Sequence, residues 1–406
     1  MKNYVLVGTG ARATLCYLEF ICNDLKDSVN LCGVYDIEPK RAEAALKLVG
    51  GNAPIFDDFD TMLKETNPDG VIVTSIDCTH DDYIVRALEY GCDVISEKPL
   101  TTTPEKFMRI YEAEKRTGHK VTTTFNCRYM IQFERIKEIL LSGVLGDICS
   151  VHYEWLLNRD HGASYYRRWH RERKNSGSLL IHKSTHHFDL LNWFLDDEPE
   201  AVNAFGQRNV YGDTSRKMSD RCYTCPAKKT CEYYYDITED PMDKALYFDC
   251  EGENSYIRDK CVFSEEIDIE DAVAVNIKYK KGTVVSYSLI AHAPYEGPRI
   301  VFNGTKARAE FTSVFSGGMY SGSRTNELTI YYPSGEIQKT VIPSIAGPHG
   351  GSDIKMLNSI FNGAGDDPLG RAADTRAGGM SAVIGMAANV SMAENRKVYI
   401  SELLDI

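Results

Sequence analysis

The chain lacks the features of membrane, secreted and nucleic-acid-binding proteins. Across its 406 residues no apolar run approaches the roughly 18 residues that a membrane helix needs. Lys and Arg number 46 against 58 Asp and Glu, and the resulting net charge of −12 disfavours contact with a phosphate backbone. The apolar run near the N-terminus, NYVLVG, is too short for a signal peptide. We therefore expect a cytoplasmic protein with neither membrane nor nucleic-acid partners.

Tryptophan is also scarce, at 3 residues, but cysteine is not, at 12. Five cysteines follow the spacing C-x2-C-x5-C-x18-C-x10-C in a polar segment at about 212–268; they are Cys222, Cys225, Cys231, Cys250 and Cys261. In a reducing compartment such a cluster more often binds metal than forms disulfides. The spacing leaves open a structural zinc ion, an iron–sulfur cluster, or disulfides and free thiols. It also does not say which four of the five would hold an ion.

The first third of the chain alternates between two hydrophobic periodicities. Strand-like runs such as NYVLVG, VNLCGVYD and GVIVTSI are separated by helical patterns such as PKRAEAALKLV and TPEKFMRIYEAEKRTG. Strands alternating with helices of this length indicate right-handed βαβ units and a parallel sheet covered on both faces. We predict a Rossmann-type, dinucleotide-binding α/β domain over residues 1–126.

The alternation of strands and helices ends after residue 126. Longer strand-like runs are separated by the turn signals KKG, NGT and PSG, and two helical patterns follow at about 353–362 and 374–395. We predict an α+β domain over residues 127–406, with an open, mainly antiparallel sheet, helices on one face, and the cysteine-rich segment as an insertion. Because an open sheet usually buries its outer face against another subunit, we expect a homodimer or homotetramer.

The end of the first strand carries a dinucleotide-binding turn, GTGARA. Gly8, Gly10 and Ala13 stand in G-x-G-x-x-A spacing immediately before a helix. Gly8 allows the tight turn, Gly10 lets the backbone approach a pyrophosphate, and Ala13 allows close packing of helix on strand. The N–H groups of the helix N-terminus then face the phosphates. Arg12, inside the turn, is a further candidate for cofactor contact.

An acid follows the second strand. Asp36 is placed to bond the ribose hydroxyls of NAD and to repel the extra phosphate of NADP. Lys40 and Arg41 lie close by and could receive that phosphate. NAD is therefore the favoured cofactor, with NADP as the alternative.

Four segments together resemble the Gfo/Idh/MocA oxidoreductases, the family of glucose–fructose oxidoreductase and inositol dehydrogenase. They are VLVGTGARA at 5–13, THDDYIVRALEYGCDVISEKPL at 79–100, NCRY at 126–129 and SGSLLIHKSTHHFDLLNWFL at 176–195. The resemblance covers most of the chain except the cysteine-rich segment. It implies an NAD(P)-dependent enzyme that transfers a hydride between nicotinamide and a secondary hydroxyl of a sugar, inositol or glycoside.

The resemblance also implies roles for individual residues. Lys98, in Glu-Lys-Pro, corresponds to a lysine that sits beside the nicotinamide and bonds the reacting oxygen, and His186 to a histidine that takes the hydroxyl proton. Arg128 matches a position near the substrate. The positions expected to contact the cofactor are Ser75, His80, Glu97 and Asn126.

One position departs from the family pattern. The family commonly has an aspartate four residues before the catalytic histidine, and this chain has His182 there, followed by Lys183. Both the identity of the base and the substrate stay open for that reason. If 180–195 is one helix, His182, His186 and Asp189 share a stripe, on which Asp189 could bond a histidine and set its tautomer. His-x-x-x-His is also a metal-ligand spacing, although a third ligand is missing.

Further residues near this stripe could bind substrate. Lys183 and His187 form a second i, i+4 pair, and Arg168 and Trp169 lie in a polar, aromatic segment upstream. Aromatic rings and arginines suit a sugar ring, its hydroxyls or a carboxylate. A solvated basic loop or a subunit contact explains the upstream residues equally well.

Two other functions fit the same residues. In the first, NAD oxidises C3 of a glycoside transiently, which acidifies the C2 hydrogen and permits redox-assisted cleavage or formation of a 3-keto sugar. In the second, the chain is a non-catalytic NAD-binding sensor or regulatory subunit. The presence of Lys98 and His186 disfavours the sensor, because binding NAD alone does not need a proton acceptor beside the nicotinamide.

Overall fold

The computed structural model describes residues 1–252, 256–317, 326–345, 348–363 and 365–406, so residues 253–255 of the predicted insertion lie outside the described ranges. Two sheets organise the chain. The first has six parallel strands in the order β3-β2-β1-β4-β5-β6. Its strands are β1 (Lys2–Val7), β2 (Val29–Tyr35), β3 (Ile55–Phe56), β4 (Gly70–Val73), β5 (Asp93–Ser96) and β6 (Val121–Thr123).

Helices cover both faces of this sheet, which explains why β1 and β4 are continuous apolar runs. The helix after β1 is wound with i to i+5 hydrogen bonds in two pieces, Ala13–Leu18 and Phe20–Asp24. The remaining helices of this part are α1 (Pro39–Val49), α2 (Phe59–Thr66), α3 (His80–Tyr90) and α4 (Pro104–Thr117).

The second sheet has nine strands in the order β14-β13-β12-β11-β7-β10-β9-β8-β15. All neighbours are antiparallel except β7 and β10, which pair parallel. The predicted open, mainly antiparallel sheet is thus confirmed. Its strands are β7 (Ile148–Asn158), β8 (Pro199–Gln207), β9 (Ala272–Tyr279), β10 (Val284–Ala293), β11 (Gly297–Gly304), β12 (Arg308–Ser313), β13 (Asn326–Tyr331), β14 (Ile337–Ile342) and β15 (Val398–Tyr399).

The helices of the second part pack on its sheet and on the first domain. They are α5 (Ile131–Leu141), α6 (Arg159–Arg167), α7 (Arg173–Ser176), α8 (Leu179–His182), α9 (Thr185–Leu195), α10 (Pro241–Asp243), α11 (Ser352–Asn362) and α12 (Thr375–Glu394). Met356 and Leu357 of α11 share an apolar cluster with Tyr17 and Leu18 of the first domain. The two final helices therefore join the domains rather than only covering the second sheet.

Two sequence-based expectations were wrong locally. The stretch 180–195 is not one helix but α8 and α9, separated at Lys183 and Ser184, where the hydroxyl of Ser184 bonds that of Tyr287 on β10 at 2.8 Å. The upstream polar segment is not a plain loop, because α6 begins there, capped by the Asn158 side chain. Both differences come from contacts with distant strands or from caps that periodicity does not show.

Candidate active site

The turn after β1 requires glycine at its first position. Gly8 has φ of +87°, and a Cβ there would lie 2.7 Å from backbone atoms of Ser75. Gly10 faces the hydroxyl of Tyr247, which would lie 3.2 Å from an added Cβ. Because neither glycine has a side chain, the backbone of the turn stays accessible at these positions, which a pyrophosphate site requires.

The cysteine-rich insertion lies directly on this turn. The N–H of Ala11 donates to the hydroxyl of Tyr247 at 2.8 Å, and Arg41 donates to the carbonyl of Leu246 at 3.2 Å. The guanidinium of Arg258 lies over the Tyr247 ring at 4.0 Å. These contacts were missed by sequence reasoning because Ala11 and Tyr247 are 236 residues apart.

Asp36 is buried at the end of β2 and bonded on both oxygens. One oxygen accepts the N–H and the hydroxyl of Thr9 at 2.7 and 2.9 Å. The other accepts the N–H of Glu38 at 2.9 Å and the guanidinium of Arg41 at 3.1 Å. The acid is thus held beside the turn, as an NAD site requires, and Arg41 partly neutralises it.

Glu97 organises the opposite side of the turn. Its Oε1 accepts Arg12 Nε at 2.7 Å and the Tyr17 hydroxyl at 2.8 Å. Arg12 also pairs with Asp353 of α11 at 3.0 Å, and Asn126 donates to the same carboxylate at 2.8 Å. Burial opposes ionisation of Glu97, but Arg12 and Lys98 outweigh it and lower the pKa of that carboxyl. Tyr17 and Asp353 carried no sequence signal for this network.

His80 links two backbone segments rather than offering a free ring nitrogen. Its Nδ1 lies 2.8 Å from the carbonyl oxygen of Pro99, and its Nε2 lies 3.1 Å from that of Ser75. The ring is buried. In this arrangement His80 ties the segment that carries Lys98 to the backbone at Ser75.

Lys98 reaches across from the end of β5 to the second domain. Its ammonium donates to the carbonyl of His182 at 3.2 Å. Burial lowers the pKa of Lys98 to about 8, although the carboxylates of Asp77 and Glu97 oppose that shift. The lysine is therefore mostly an ammonium at neutral pH and titrates close to it.

His182 is paired with a carboxylate that the sequence did not reveal. Its Nδ1 lies 2.6 Å from Oδ2 of Asp77, and both side chains are buried. Burial lowers the pKa of His182 and raises that of Asp77, which disfavours the charged form of each group. The pair joins the nucleotide domain to the segment that carries His182.

His186 is the second residue of α9. Its ring packs edge-on to Phe125 at 5.9 Å between centroids. Its Nδ1 is buried and has no hydrogen-bond partner among the described residues. Burial first, then the charges of Lys98 and Lys183, lower the pKa of His186 well below the usual value. These effects favour the neutral form of the imidazole.

Asp189 does not bond a histidine as predicted. Its two oxygens accept from Arg128 at 2.8 and 2.6 Å, and both side chains are buried. Arg128 also donates to the carbonyls of Gly370 and Ala372 at 3.3 and 3.2 Å. The pair ties α9 to the segment after β6, and the guanidinium of Arg128 is engaged within the protein instead of facing a substrate.

His187, predicted to bind substrate, is buried inside the second domain. Its Nδ1 lies 2.8 Å from the Tyr287 hydroxyl, and its ring stacks on Trp155 at 4.2 Å. The ammonium of Lys183 lies 5.1 Å from the centre of the same Trp155 ring, but Lys183 is only half-buried. His187 is therefore a packing residue of the second domain.

Arg168, Trp169 and Lys183 surround the His182 ring more loosely. Arg168 donates to the carbonyl and hydroxyl oxygens of Ser164, both at 2.9 Å. Trp169 packs edge-on to His182 at 5.6 Å. The ammonium of Lys183 lies 5.1 Å from the centre of the Trp155 ring. The structure thus places these three predicted substrate residues near His182.

Four of the five clustered cysteines line one cavity of about 160 Å³, namely Cys222, Cys225, Cys231 and Cys261. Cys250 is elsewhere, with its thiol 3.2 Å from the carbonyl of Ala245 and near Glu38 of the nucleotide domain. All twelve cysteines are free thiols. Across the described ranges, no three His, Cys, Asp or Glu side chains are grouped to hold a metal ion, either here or at His182 and His186.

Comparison with known proteins agrees with this geometry. Residues 2–125 match the Gfo/Idh/MocA family model described as "Oxidoreductase family, NAD-binding Rossmann fold". Residues 137–400 match the companion model, "Oxidoreductase family, C-terminal alpha/beta domain". The chain belongs to the Gfo/Idh/MocA oxidoreductase family. The prediction of an NAD(P)-dependent oxidoreductase is confirmed at this level.

Individual relatives place the chain within that family. It is 37% identical to YteT of Bacillus subtilis (strain 168), over 100% of this chain and 99% of that protein. Inositol 2-dehydrogenase of Klebsiella pneumoniae is 26% identical over 53% of this chain and 64% of its own length. The solved structure of levoglucosan dehydrogenase with NADH and L-sorbose has a TM-score of 0.70 at 18% identity and covers 98% of both chains, which shows the shared fold.

The part of the chain that the structure describes contains no helix long and apolar enough to cross a membrane.

Proposed function

We propose that this oxidoreductase is an NAD(H)-dependent dehydrogenase acting on a secondary hydroxyl of a sugar, inositol or glycoside. The proposal rests on two contacts next to the nucleotide-binding turn and near His186. Lys98 donates to the carbonyl of His182, and the ring of His182 bonds Asp77. The names of relatives, inositol 2-dehydrogenase and levoglucosan dehydrogenase, support a polyol or sugar substrate.

The residues of the turn fit NAD. Gly8 and Gly10 keep the backbone accessible, Arg12 supplies a cation, and Asp36 offers a carboxylate to ribose hydroxyls. When bound, NAD supplies the hydride acceptor. Arg41 is already paired with Asp36, which favours NAD over NADP because a 2′-phosphate would have to displace that pair.

Proton transfer falls to His186 and charge stabilisation to Lys98. A neutral imidazole accepts the hydroxyl proton as the carbinol hydrogen departs. The ammonium of Lys98, in a largely desolvated site, stabilises the alkoxide charge that develops on the reacting oxygen. His182 positions Lys98, since its carbonyl accepts from the ammonium while its ring is held by Asp77.

The test is NADH formation with a panel of sugars, polyols and glycosides. We expect at least one secondary alcohol to reduce NAD, and Lys98→Met to lower kcat by about a hundredfold or more while NAD binding persists. Lys64→Met, the same change at an exposed lysine of α2, is the control. If no compound in the panel reduces NAD although NAD binds, the dehydrogenase proposal fails.

The same experiment separates the alternatives. A redox-assisted glycoside-cleaving or 3-keto-sugar enzyme needs NAD but does not accumulate NADH when it cleaves a glycoside. A non-catalytic sensor would keep its phenotype with Lys98→Ala and lose it with Gly10→Val.

The structural zinc ion and the homodimer or homotetramer stay predictions. Metal analysis of the purified protein tests the first, with Cys250→Ser as the control for Cys225→Ser, because Cys250 lies outside the four-thiol cavity. Light scattering at several protein concentrations tests the second.

A further inference from the structure

Three cations lie around the histidines. The ammonium of Lys98 donates to the carbonyl of His182 at 3.2 Å, and the charges of Arg168 and Lys183 also act on the His182 ring. Lys98 and Lys183 act on His186 as well. In place of the family's aspartate, position 182 carries a histidine whose Nδ1 lies 2.6 Å from Oδ2 of Asp77.

The carboxylates near these cations already have partners. Asp77 bonds His182, and Glu97 accepts from Arg12 and Tyr17. Glu296, at the Lys183 side, lies 2.9 Å from His161 Nδ1 and accepts from Asn158 at 3.3 Å.

Two cations have N–H donors that no described residue accepts. Among the described residues the ammonium of Lys183 makes neither a hydrogen bond nor an ion pair, and it lies 5.1 Å from the centre of the Trp155 ring. Arg168 donates only to Ser164 and has no carboxylate within ion-pair distance in the described ranges. A half-buried ammonium with no acceptor is costly unless a ligand supplies one.

We propose that the substrate carries a carboxylate, as a uronic acid or its glycoside does, and that Lys183 binds this carboxylate with help from Arg168. The inference rests on the proposed dehydrogenase function and names the substrate class for it. His182 fits the same substrate class, because an aspartate four residues before His186 would add a negative charge that repels an acidic substrate, whereas a histidine already bonded to Asp77 adds none. A charge-assisted Lys–carboxylate bond in a partly dry cleft discriminates strongly against a neutral analogue.

The experiment compares matched pairs of substrates. NADH formation is measured with methyl glucuronide against methyl glucoside, and with galacturonate against galactose; glucose 6-phosphate serves as a phosphate-bearing arm. We expect kcat/KM to be about tenfold or more higher for at least one uronate than for its neutral partner. Lys183→Gln should lower that uronate-to-neutral ratio about tenfold, and Lys339→Gln, at a lysine with a 67% exposed side chain on β14, should not.

A second readout does not depend on turnover. Uronate should raise the Tm of the NADH-loaded protein, and the Lys183→Gln variant should lose that shift. Equal or better use of the neutral sugars, a ratio unmoved by Lys183→Gln, or a preference for the sugar phosphate would overturn the inference while leaving the dehydrogenase proposal intact. If no sugar is oxidised but uronate stabilises the protein through Lys183, the proposed function fails and the substrate inference fails with it, while Lys183 is retained only as a carboxylate-binding residue. Absence of both oxidation and stabilisation overturns both.

Discussion

Oδ2 of Asp77 lies 2.6 Å from Nδ1 of His182, and this contact joins the nucleotide domain to the wall of the cleft. Since Lys98 donates to the carbonyl of the same histidine, Asp77 acts on the reacting centre through His182.

Asp77→Asn keeps the size of the side chain but replaces the carboxyl group that bonds Nδ1 of His182. We expect kcat to fall about tenfold or more, equivalent to ~1.4 kcal/mol of transition-state stabilisation, because the position of Lys98 depends on His182. Steady-state kinetics and the pH profile of kcat measure the effect; a positioning role predicts that the alkaline limb also shifts. Asp57→Asn, at an exposed aspartate, is the matched control. An unchanged kcat and an unchanged pH profile would show that Asp77 does not act on the reacting centre.

The pH dependence of alcohol oxidation distinguishes the roles of Lys98 and His186. Burial lowers the pKa of Lys98 to about 8, and activity that needs its ammonium declines as pH rises through that value. His186 must be neutral, and its lowered pKa places the acid limb below pH 6.5, the usual histidine value. The profile of kcat/KM checks both limbs. A rise through pH 8 instead of a decline would assign proton acceptance to Lys98.

Tyr247 competes for the backbone N–H that a pyrophosphate would use. Tyr247→Phe removes the hydroxyl that accepts from Ala11 at 2.8 Å. Loss of a hydrogen bond worth about 1 kcal/mol should lower the Kd for NAD about fivefold, as measured by fluorescence titration. Tyr223→Phe, at an exposed tyrosine of the same insertion, controls for general effects. A raised Kd would show instead that the Tyr247 hydroxyl binds the cofactor.

Arg128 and Asp189 form a buried ion pair, and replacing either residue alone leaves the charge of the other without a partner. Arg128→Met leaves the Asp189 carboxylate buried without its partner and should lower the free energy of unfolding by about 3–5 kcal/mol. Denaturant unfolding measures this. The double variant Arg128→Met/Asp189→Leu should recover part of the loss, because no charge is then left unpaired. A double variant as unstable as the sum of the two single changes would contradict this account.

The sequence by itself determined the parts of this protein that depend on local pattern. Strand and helix periods predicted the parallel sheet and the open second sheet, and G-x-G-x-x-A spacing located the turn at Gly8 and Gly10. The Glu-Lys-Pro segment and the family likeness singled out Lys98 and His186. These signals are readable because the residues that matter lie within a few positions of one another.

Only the tertiary structure decided which residues pair through hydrogen bonds and ion pairs. Asp77 and His182 are 105 residues apart, Arg128 and Asp189 are 61 apart, and the Tyr247 contact with the turn spans 236. Such pairs are selected by how sheets and helices pack, which periodicity does not encode. Packing also divided the stretch 180–195 into two helices, with His187 buried and Lys183 half-buried.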